Sequence, residues 1–304
     1  MAVEFILHHY DTSPFSEKVR TMFGLKGLGW TSVQTPNMMP KPDLVALTGG
    51  YRRAPVMQIG ADIFCDSQAI LAEIERRAPG PAAVRGDDWA TNLWADRLFF
   101  QATVPIIFAE LGHQTPKAFM DDREKLSGRP FDVEAMKRAA PALTPQWRAQ
   151  AAWIDQGLAG RPWLAGDTPG LADVAAYMNV WWLSRALPET AARLLSGLDR
   201  VIAWRDRLAA IGHGTRTEMT GARALEIARE SEPAVPPPHD PADPLALTPG
   251  APVRVMADDY GRDPISGRLV ALNPGEVVIA HEAPGLGTLN IHFPRVGYII
   301  APAS

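Results

Sequence analysis

Ser13 and Pro14 follow a short apolar run, Phe5–Leu7, at the point where a helix is predicted to begin. Serine is a preferred N-cap residue and proline a preferred first helical residue. A helix N-terminus carries unpaired N–H groups and a partial positive charge, which stabilise an anion placed there. A thiol at this turn would be shifted toward thiolate, and the Ser13 hydroxyl would add a hydrogen bond to the sulfur. The plainer alternative is that Ser13 only caps the helix.

Asp66 and Ser67 form a second candidate anion site, because they also follow a predicted strand and open a helix. The N–H groups of that helix would bind a carboxylate, and Asp66 would pair with an ammonium. A ligand that carries a carboxylate, an ammonium and a thiol at suitable distances would satisfy both turns. Glutathione has this pattern, because its γ-glutamyl end carries the carboxylate and the ammonium and its cysteinyl unit carries the thiol.

Strands and helices alternate around these two turns. Apolar spacing predicts a helix over 13–26, and β-rich runs predict a strand at 31–35 and a hairpin at 56–65. The proline-bearing segment 36–50 is predicted to be irregular, and a helix over 67–77 closes the unit. The order βαβ, then ββα, requires a parallel pairing with a right-handed crossover in its first half.

Residues 1 to about 230 resemble a cytosolic glutathione transferase. The resemblance rests on three segments that occur in the family's order and spacing: Tyr10–Arg20, Arg53–Val56 and Asp66–Ile70. The first segment is similar to the zeta and omega type of turn, and Ser13 falls at its catalytic position, which implies a serine-type enzyme. The resemblance implies a thioredoxin-like α/β domain that binds glutathione as cosubstrate, followed by an all-α domain that receives an electrophile.

The other two segments imply contacts to glutathione. Pro55 falls at the family's cis-proline, and Ala54 before it would hydrogen-bond the cysteinyl backbone. Asp66 and Ser67 fall on the acidic residue and the serine that hold the γ-glutamyl group. Arg53 is a candidate partner for the glycine carboxylate. No metal is implied at this site.

The pattern over 86–231 is helical almost throughout and predicts an all-α bundle. Within it, Gly166–Asp173 resembles a loop and helix start of the family's second domain, with Gly170 where the family usually has serine or threonine. Six side chains either line an acceptor pocket or form the core of the bundle, and the core is the commoner fate of such residues. They are Trp94, Phe99, Phe100, Thr103, Ile107 and Phe108.

Seven prolines predict an extended linker over 232–250. Five short β-like runs separated by turns follow, and they predict a small all-β barrel or sandwich domain over 251–304. With the thioredoxin-like domain at 1–78 and the helical domain at 86–231, the sequence predicts three domains. The last of them is not explained by the resemblance.

Composition excludes several other classes of protein. The formal net charge is −4, and no block of lysine or arginine suggests a nucleic-acid partner. No apolar run approaches the ~18 residues that a membrane helix needs. A single cysteine, Cys65, excludes an internal disulfide and a cysteine-rich metal site. We therefore expect a cytoplasmic protein, and the resemblance implies a homodimer.

Two functions remain open at this stage. In the first, glutathione thiolate attacks a small hydrophobic electrophile, by conjugation, isomerisation or dehalogenation. In the second, the chain is a non-catalytic binding or scaffold protein whose C-terminal β domain binds a partner. Thiol–disulfide exchange is disfavoured, because it usually needs a cysteine where Ser13 stands.

Overall fold

The computed structural model describes residues 4–303, so the predicted domain limits at residues 1 and 304 lie outside the described residues. The N-terminal part has the predicted thioredoxin-like arrangement. Strand β1 pairs with β2 in parallel and with β3 antiparallel, and β3 and β4 form the predicted hairpin. These elements are β1 (Ile6–His9), α1 (Pro14–Leu25), β2 (Gly29–Gln34), α2 (Pro42–Thr48), β3 (Val56–Ile59), β4 (Asp62–Cys65) and α3 (Ser67–Arg77).

Helix α2 lies in the segment that the sequence predicted to be irregular, so that prediction was wrong. Pro42 occupies the first turn, where a missing N–H is tolerated. Leu44 and Leu47 are buried on one face, and Gly49 ends the helix with φ 62°, in the left-handed region that glycine adopts without strain. The prolines of this segment therefore start a short helix rather than preventing one.

The predicted helical domain is present. Its chain contains a π-helical turn over Ala95–Phe99 and a short 3₁₀ turn over Gly112–Gln114. Its helices are α4 (Asp88–Trp94), α5 (Phe100–Leu111), α6 (Lys117–Ser127), α7 (Val133–Gly157), α8 (Leu171–Ala186), α9 (Pro188–Leu195) and α10 (Asp199–Ile211).

The turn before α8 explains the glycine that departs from the family pattern. The Asp173 carboxylate accepts hydrogen bonds from the N–H groups of Leu164 and Gly170, and from the indole of Trp204. A Cβ on Gly170 would lie 2.7 Å from the carbonyl oxygen of Ala83. A serine or threonine has no room here, and Asp173 satisfies the turn without one.

After α10 the chain returns to the N-terminal sheet. Strand β5 (Thr215–Glu218) pairs in parallel with β2, and α11 (Gly221–Arg229) packs against α2. The helical pattern over 86–231 did not predict this strand, because all four of its residues are exposed and polar. Residues 232–250 contain neither helix nor strand. Their backbone donates hydrogen bonds to residues 265–272, for example from the Asp240 N–H to the Leu272 carbonyl oxygen at 2.8 Å.

The C-terminal β-rich region is present, but its strands do not form a separate sheet. They are β6 (Pro252–Ala257), β7 (Ile265–Leu272), β8 (Glu276–Ala283), β9 (Gly287–Pro294) and β10 (Tyr298–Pro302). Strand β9 pairs in parallel with β4, with Ile291 opposite Ile63, so the ten strands within residues 4–303 form one sheet in the order β10-β6-β7-β8-β9-β4-β3-β1-β2-β5.

The N-terminal sheet and the C-terminal strands share one apolar core. Leu47 and Ile63 from the N-terminal part are fully buried in the same cluster as Ile279 and Phe293 from the C-terminal strands. Burial of aliphatic and aromatic side chains stabilises a fold by roughly 1.5–3 kcal/mol per side chain. The C-terminal strands are therefore part of the folding unit that contains the thioredoxin-like sheet.

Candidate functional site

One cleft brings together most of the residues that the sequence singled out. Phe15 also lines this cleft, whereas Ser13, two residues earlier, does not. The predicted site residues that line it are Arg53, Ala54, Pro55, Asp66 and Ser67. These five residues come from two separate segments of the chain, 53–55 and 66–67, and lie at a single place in the fold.

The N-terminus of α3 opens onto this cleft. Ser67 and Gln68, its first two residues, are among the lining residues. Asp66 is the N-cap, with φ 83° and ψ 139°, and its Oδ1 accepts a hydrogen bond from the Gln68 N–H at 2.9 Å. A positive φ at a residue other than glycine is strained by about 1–3 kcal/mol and is concentrated at functional sites. The α3 terminus has the geometry of an anion site.

The peptide bond between Ala54 and Pro55 is cis, as the resemblance implies. Both residues line the cleft, immediately before β3. Arg53 precedes them, and its side chain is 11% exposed. The backbone of this turn is therefore available to a ligand that lies across it.

Ser13 is the N-cap of α1, as the sequence predicts. Its Oγ accepts a hydrogen bond from the Ser16 N–H at 3.1 Å, and the residue is 1% exposed. A hydroxyl that accepts one bond still has its own proton to donate. The Ser13 hydroxyl can therefore cap the helix and donate a hydrogen bond to an anion at the same time, although Ser13 lies beneath the cleft surface.

An ion pair fixes α1 against the helical domain. The Lys18 ammonium lies 2.7 Å from Oδ1 of Asp96, which lines the cleft, and 2.9 Å from Oδ1 of Asn92. Lys18 is fully buried. Burial raises the pKa of Asp96 above its ordinary value, and the attraction of Lys18 opposes that rise. The pair holds the two domains that form the cleft in a fixed relation.

Two turns of the C-terminal strands cover the cleft, and sequence reasoning missed them. Asp259 and Tyr260 lie over Arg53, and Val296 and Tyr298 lie beside Asp66 and Gln68. The sequence predicts turns between the β-like runs, but nothing in a turn sequence specifies which distant side chain the turn will contact.

The covered cleft is small. Its free volume is about 50 Å³, whereas small-molecule sites usually occupy about 300–1,000 Å³. The two covering turns therefore narrow the cleft.

The proposed acceptor-pocket side chains divide into two groups. Four of them belong to the bundle core: Phe99, Thr103 and Ile107 are buried, and Trp94 packs against that core with its ring centroid 5.1 Å from that of Phe99. Phe100 and Phe108 are only half-buried and form an aromatic row that begins beside the α1 N-terminus. Ring centroids are 4.9 Å apart for Phe15 and Phe100, 5.5 Å for Phe100 and Trp182, and 6.3 Å for Trp182 and Phe108. This row is a partly exposed apolar surface that begins at Phe15, in the first turn of α1.

Among residues 4–303, no cluster of three or more His, Cys, Asp or Glu side chains is placed to hold a metal ion. No helix in that range has the length and apolar character to cross a membrane.

Comparison with known proteins identifies the family. The family model for the glutathione S-transferase N-terminal domain matches residues 7–82, and the model for the C-terminal domain matches 137–207. The crystal structure of a GST-like protein from Pseudomonas syringae is 33% identical, covers 99% of this chain and 100% of that chain, and has a TM-score of 0.77. The chain belongs to the glutathione S-transferase family.

Two further known proteins are similar to part of this chain. A glutathione S-transferase from Rhodospirillum rubrum is 20% identical, covers 68% of this chain and 88% of that chain, and has a TM-score of 0.53, which shows a shared fold. FtsZ-localized protein A from Caulobacter vibrioides is 28% identical over 189 residues, which are 59% of this chain and 77% of that protein. This chain is thus similar in sequence to a protein named for its localisation with FtsZ, as well as to a GST-like protein.

Proposed function

We propose that this chain is a glutathione transferase of the serine type. The observation that carries the proposal is that Arg53, Ala54, Pro55, Asp66 and Ser67 line one cleft at the N-terminus of α3. The cleft offers helix N–H groups, a carboxylate, a guanidinium and a cis-proline turn, which match the charged ends and the backbone of glutathione.

The γ-glutamyl end binds at the start of α3. Its carboxylate accepts hydrogen bonds from the Ser67 hydroxyl and from the first N–H groups of the helix, whose partial charge favours an anion. Its ammonium pairs with the Asp66 carboxylate. The backbone at Ala54, before the cis-proline, bonds the cysteinyl unit and directs the thiol toward α1.

The thiolate is stabilised at the N-terminus of α1. The helix supplies a partial positive charge, and the Ser13 hydroxyl donates to the sulfur while its oxygen still accepts from Ser16. Since Ser13 is 1% exposed, the sulfur reaches it only when the cleft opens. The thiolate then attacks an apolar electrophile that rests on the aromatic row from Phe15 to Phe108.

Two substitutions separate binding from thiolate formation. Ser67→Ala removes a bond to a charged group and is expected to weaken glutathione binding by about tenfold or more in calorimetry. Ser13→Ala is expected to leave affinity within a few-fold but to return the bound thiol pKa, followed by thiolate absorbance, toward about 8.5. Ser196→Ala, at an exposed serine, is the matched control.

The results that count against the proposal are specific. Absence of glutathione binding at millimolar concentration would overturn it. Binding without any change of thiol pKa, in both the native chain and Ser13→Ala, would support the second candidate, a non-catalytic glutathione-binding protein. The similarity to FtsZ-localized protein A and the covered cleft are the observations that favour that candidate.

A further inference from the structure

The loop between β6 and β7, residues 258–264, occupies the arginine end of the cleft. Nη2 of Arg53 lies 2.8 Å from Oδ1 of Asp259, and it also donates to the carbonyl oxygen of Tyr260. The Arg53 guanidinium carbon lies 4.3 Å from the centroid of the Tyr260 ring. A carboxylate and an aromatic ring of the chain itself thus cover the guanidinium.

The ion pair between Arg53 and Asp259 uses only part of the guanidinium. Among the described residues, Nε of Arg53 is buried and has no hydrogen-bond partner. Nε and Nη2 together form the edge that binds a carboxylate through two parallel bonds. Asp259 contacts one donor of that edge, so a free carboxylate that binds both donors would satisfy a buried group that Asp259 leaves unpaired.

We propose that Asp259 is an internal competitor for the carboxylate-binding edge of Arg53, and that it sets the affinity of the cleft for ligands that carry a carboxylate at this end. The proposal rests on the proposed function, because it concerns the glycine end of the same glutathione site. A glutathione carboxylate displaces Asp259 from Arg53, and the loop moves away as it does so. Ligands without that carboxylate gain nothing from displacing Asp259.

Other contacts determine how firmly the loop is held. Arg97 pairs with Asp258 at 2.5 Å at the exposed rim, and the Gly261 N–H donates to the Leu126 carbonyl at 2.7 Å. Neither contact involves Arg53, so both persist when only the charge of Asp259 is removed. The competition can therefore be tested without detaching the loop.

Asp259→Asn tests the competition directly. Oδ1 of Asp259 also accepts the Tyr260 N–H at 2.7 Å, and asparagine keeps that acceptor while removing the charge. We expect glutathione to bind Asp259→Asn at least about fivefold more tightly than the native chain in calorimetry. We expect no such gain for glutathione amidated at its glycine carboxylate. Asp263→Asn, an exposed charge in the same loop, is the matched control and should change affinity less than about twofold.

The outcomes distinguish this inference from the proposed function. If glutathione binds the native chain and Asp259→Asn equally well, or if the amide gains as much as glutathione, the competition is refuted while glutathione binding stands. If glutathione binds neither the native chain nor either variant, both proposals fail. A gain that is confined to the free carboxylate and to Asp259→Asn supports the inference.

Discussion

The hydroxyl of Tyr298, the first residue of β10, lies 3.1 Å from Oδ2 of Asp66, the residue that opens α3. The Tyr51 hydroxyl lies 3.2 Å from the same tyrosine oxygen. Burial, and then the nearby Asp66 carboxylate, raise the pKa of Tyr298 well above its ordinary value, so the hydroxyl keeps the proton that it donates. The last strand of the chain thus helps to position a residue of the candidate site.

Tyr298→Phe is expected to lower the free energy of unfolding by about 2 kcal/mol, because it removes a buried hydrogen bond to a charged group. Urea denaturation measures the change. Tyr10→Phe is the control, since the Tyr10 hydroxyl lies outside this group of contacts and its loss should change stability by less than about 0.5 kcal/mol. Equal effects of the two substitutions would contradict the role assigned to Tyr298.

The two carboxylates that contact His292 predict a specific pH dependence of the free energy of unfolding. Its Nε2 lies 3.1 Å from Oδ1 of Asp62 and its Nδ1 lies 3.0 Å from Oε2 of Glu276. Burial lowers the pKa of His292, but the hydrogen bonds to these two carboxylates raise it more, so the net pKa is raised. A raised folded-state pKa gives stability that is fully present below the unfolded value of about 6.5 and is lost as pH rises through the folded value.

His292→Gln is therefore expected to lower the free energy of unfolding by roughly 3–5 kcal/mol at a pH below about 6.5. At that pH His292 is charged in the native chain, and the substitution breaks a buried ion pair. The deficit relative to the native chain should shrink as pH rises to about 9, above the range in which histidine is charged. Urea denaturation across this pH range measures it, with His113→Gln at an exposed position as the control. A deficit that stays constant with pH would show that His292 acts only through packing.

The substitution Gly24→Ala tests a close backbone contact between α1 and the end of α10. A Cβ at this position would lie 2.0 Å from the carbonyl oxygen of Gly212. Helix propensity alone predicts that Gly24→Ala stabilises by roughly 0.5–1 kcal/mol. We expect instead a loss of about 1–3 kcal/mol or more in urea denaturation, because the backbone of Gly212 must shift.

Gly86→Ala is the control for Gly24→Ala, because a Cβ there meets nothing within 4 Å. Its effect should lie within about 0.5 kcal/mol of zero. If Gly24→Ala instead raised the free energy of unfolding, the backbone of Gly212 would shift at little cost.

The substitution Phe293→Ala tests whether the C-terminal strands unfold together with the rest of the chain. All nine tryptophans lie at or before Trp204, so tryptophan fluorescence reports on the N-terminal and helical parts alone. Phe293 is fully buried, and its ring centroid lies 6.0 Å from that of Tyr51. We expect Phe293→Ala to lower the fluorescence-detected free energy of unfolding by about 3–5 kcal/mol.

Ile299→Ala, at a β10 residue that is 40% exposed, is the control and should have little effect. If Phe293→Ala leaves the fluorescence transition in place while circular dichroism shows an earlier loss of strand, the C-terminal strands are an independent domain and the shared core is refuted.

The sequence was most informative where a structure depends on neighbouring residues. Ser13 and Pro14 start α1, and 56–65 forms a hairpin, because caps and tight turns are decided within a few residues of chain. The sequence did not predict β5, because its four residues show no alternation of apolar and polar side chains. It did not predict α2 either, because the prolines there were interpreted as breaking regular structure. Both elements are stabilised by distant neighbours, β2 for the strand and the C-terminal core for Leu47.

The candidate site shows the same division between local and distant effects. By itself, the sequence determined a thioredoxin-like order of elements, two helix N-termini suited to anions, and the segment that carries Arg53, Ala54 and Pro55. Only the tertiary structure decided that β9 joins β4 and that Asp259, 206 residues away along the chain, lies on Arg53. A cap or a turn is selected by its own few residues, whereas a contact between distant segments depends on how the whole chain buries its apolar surface.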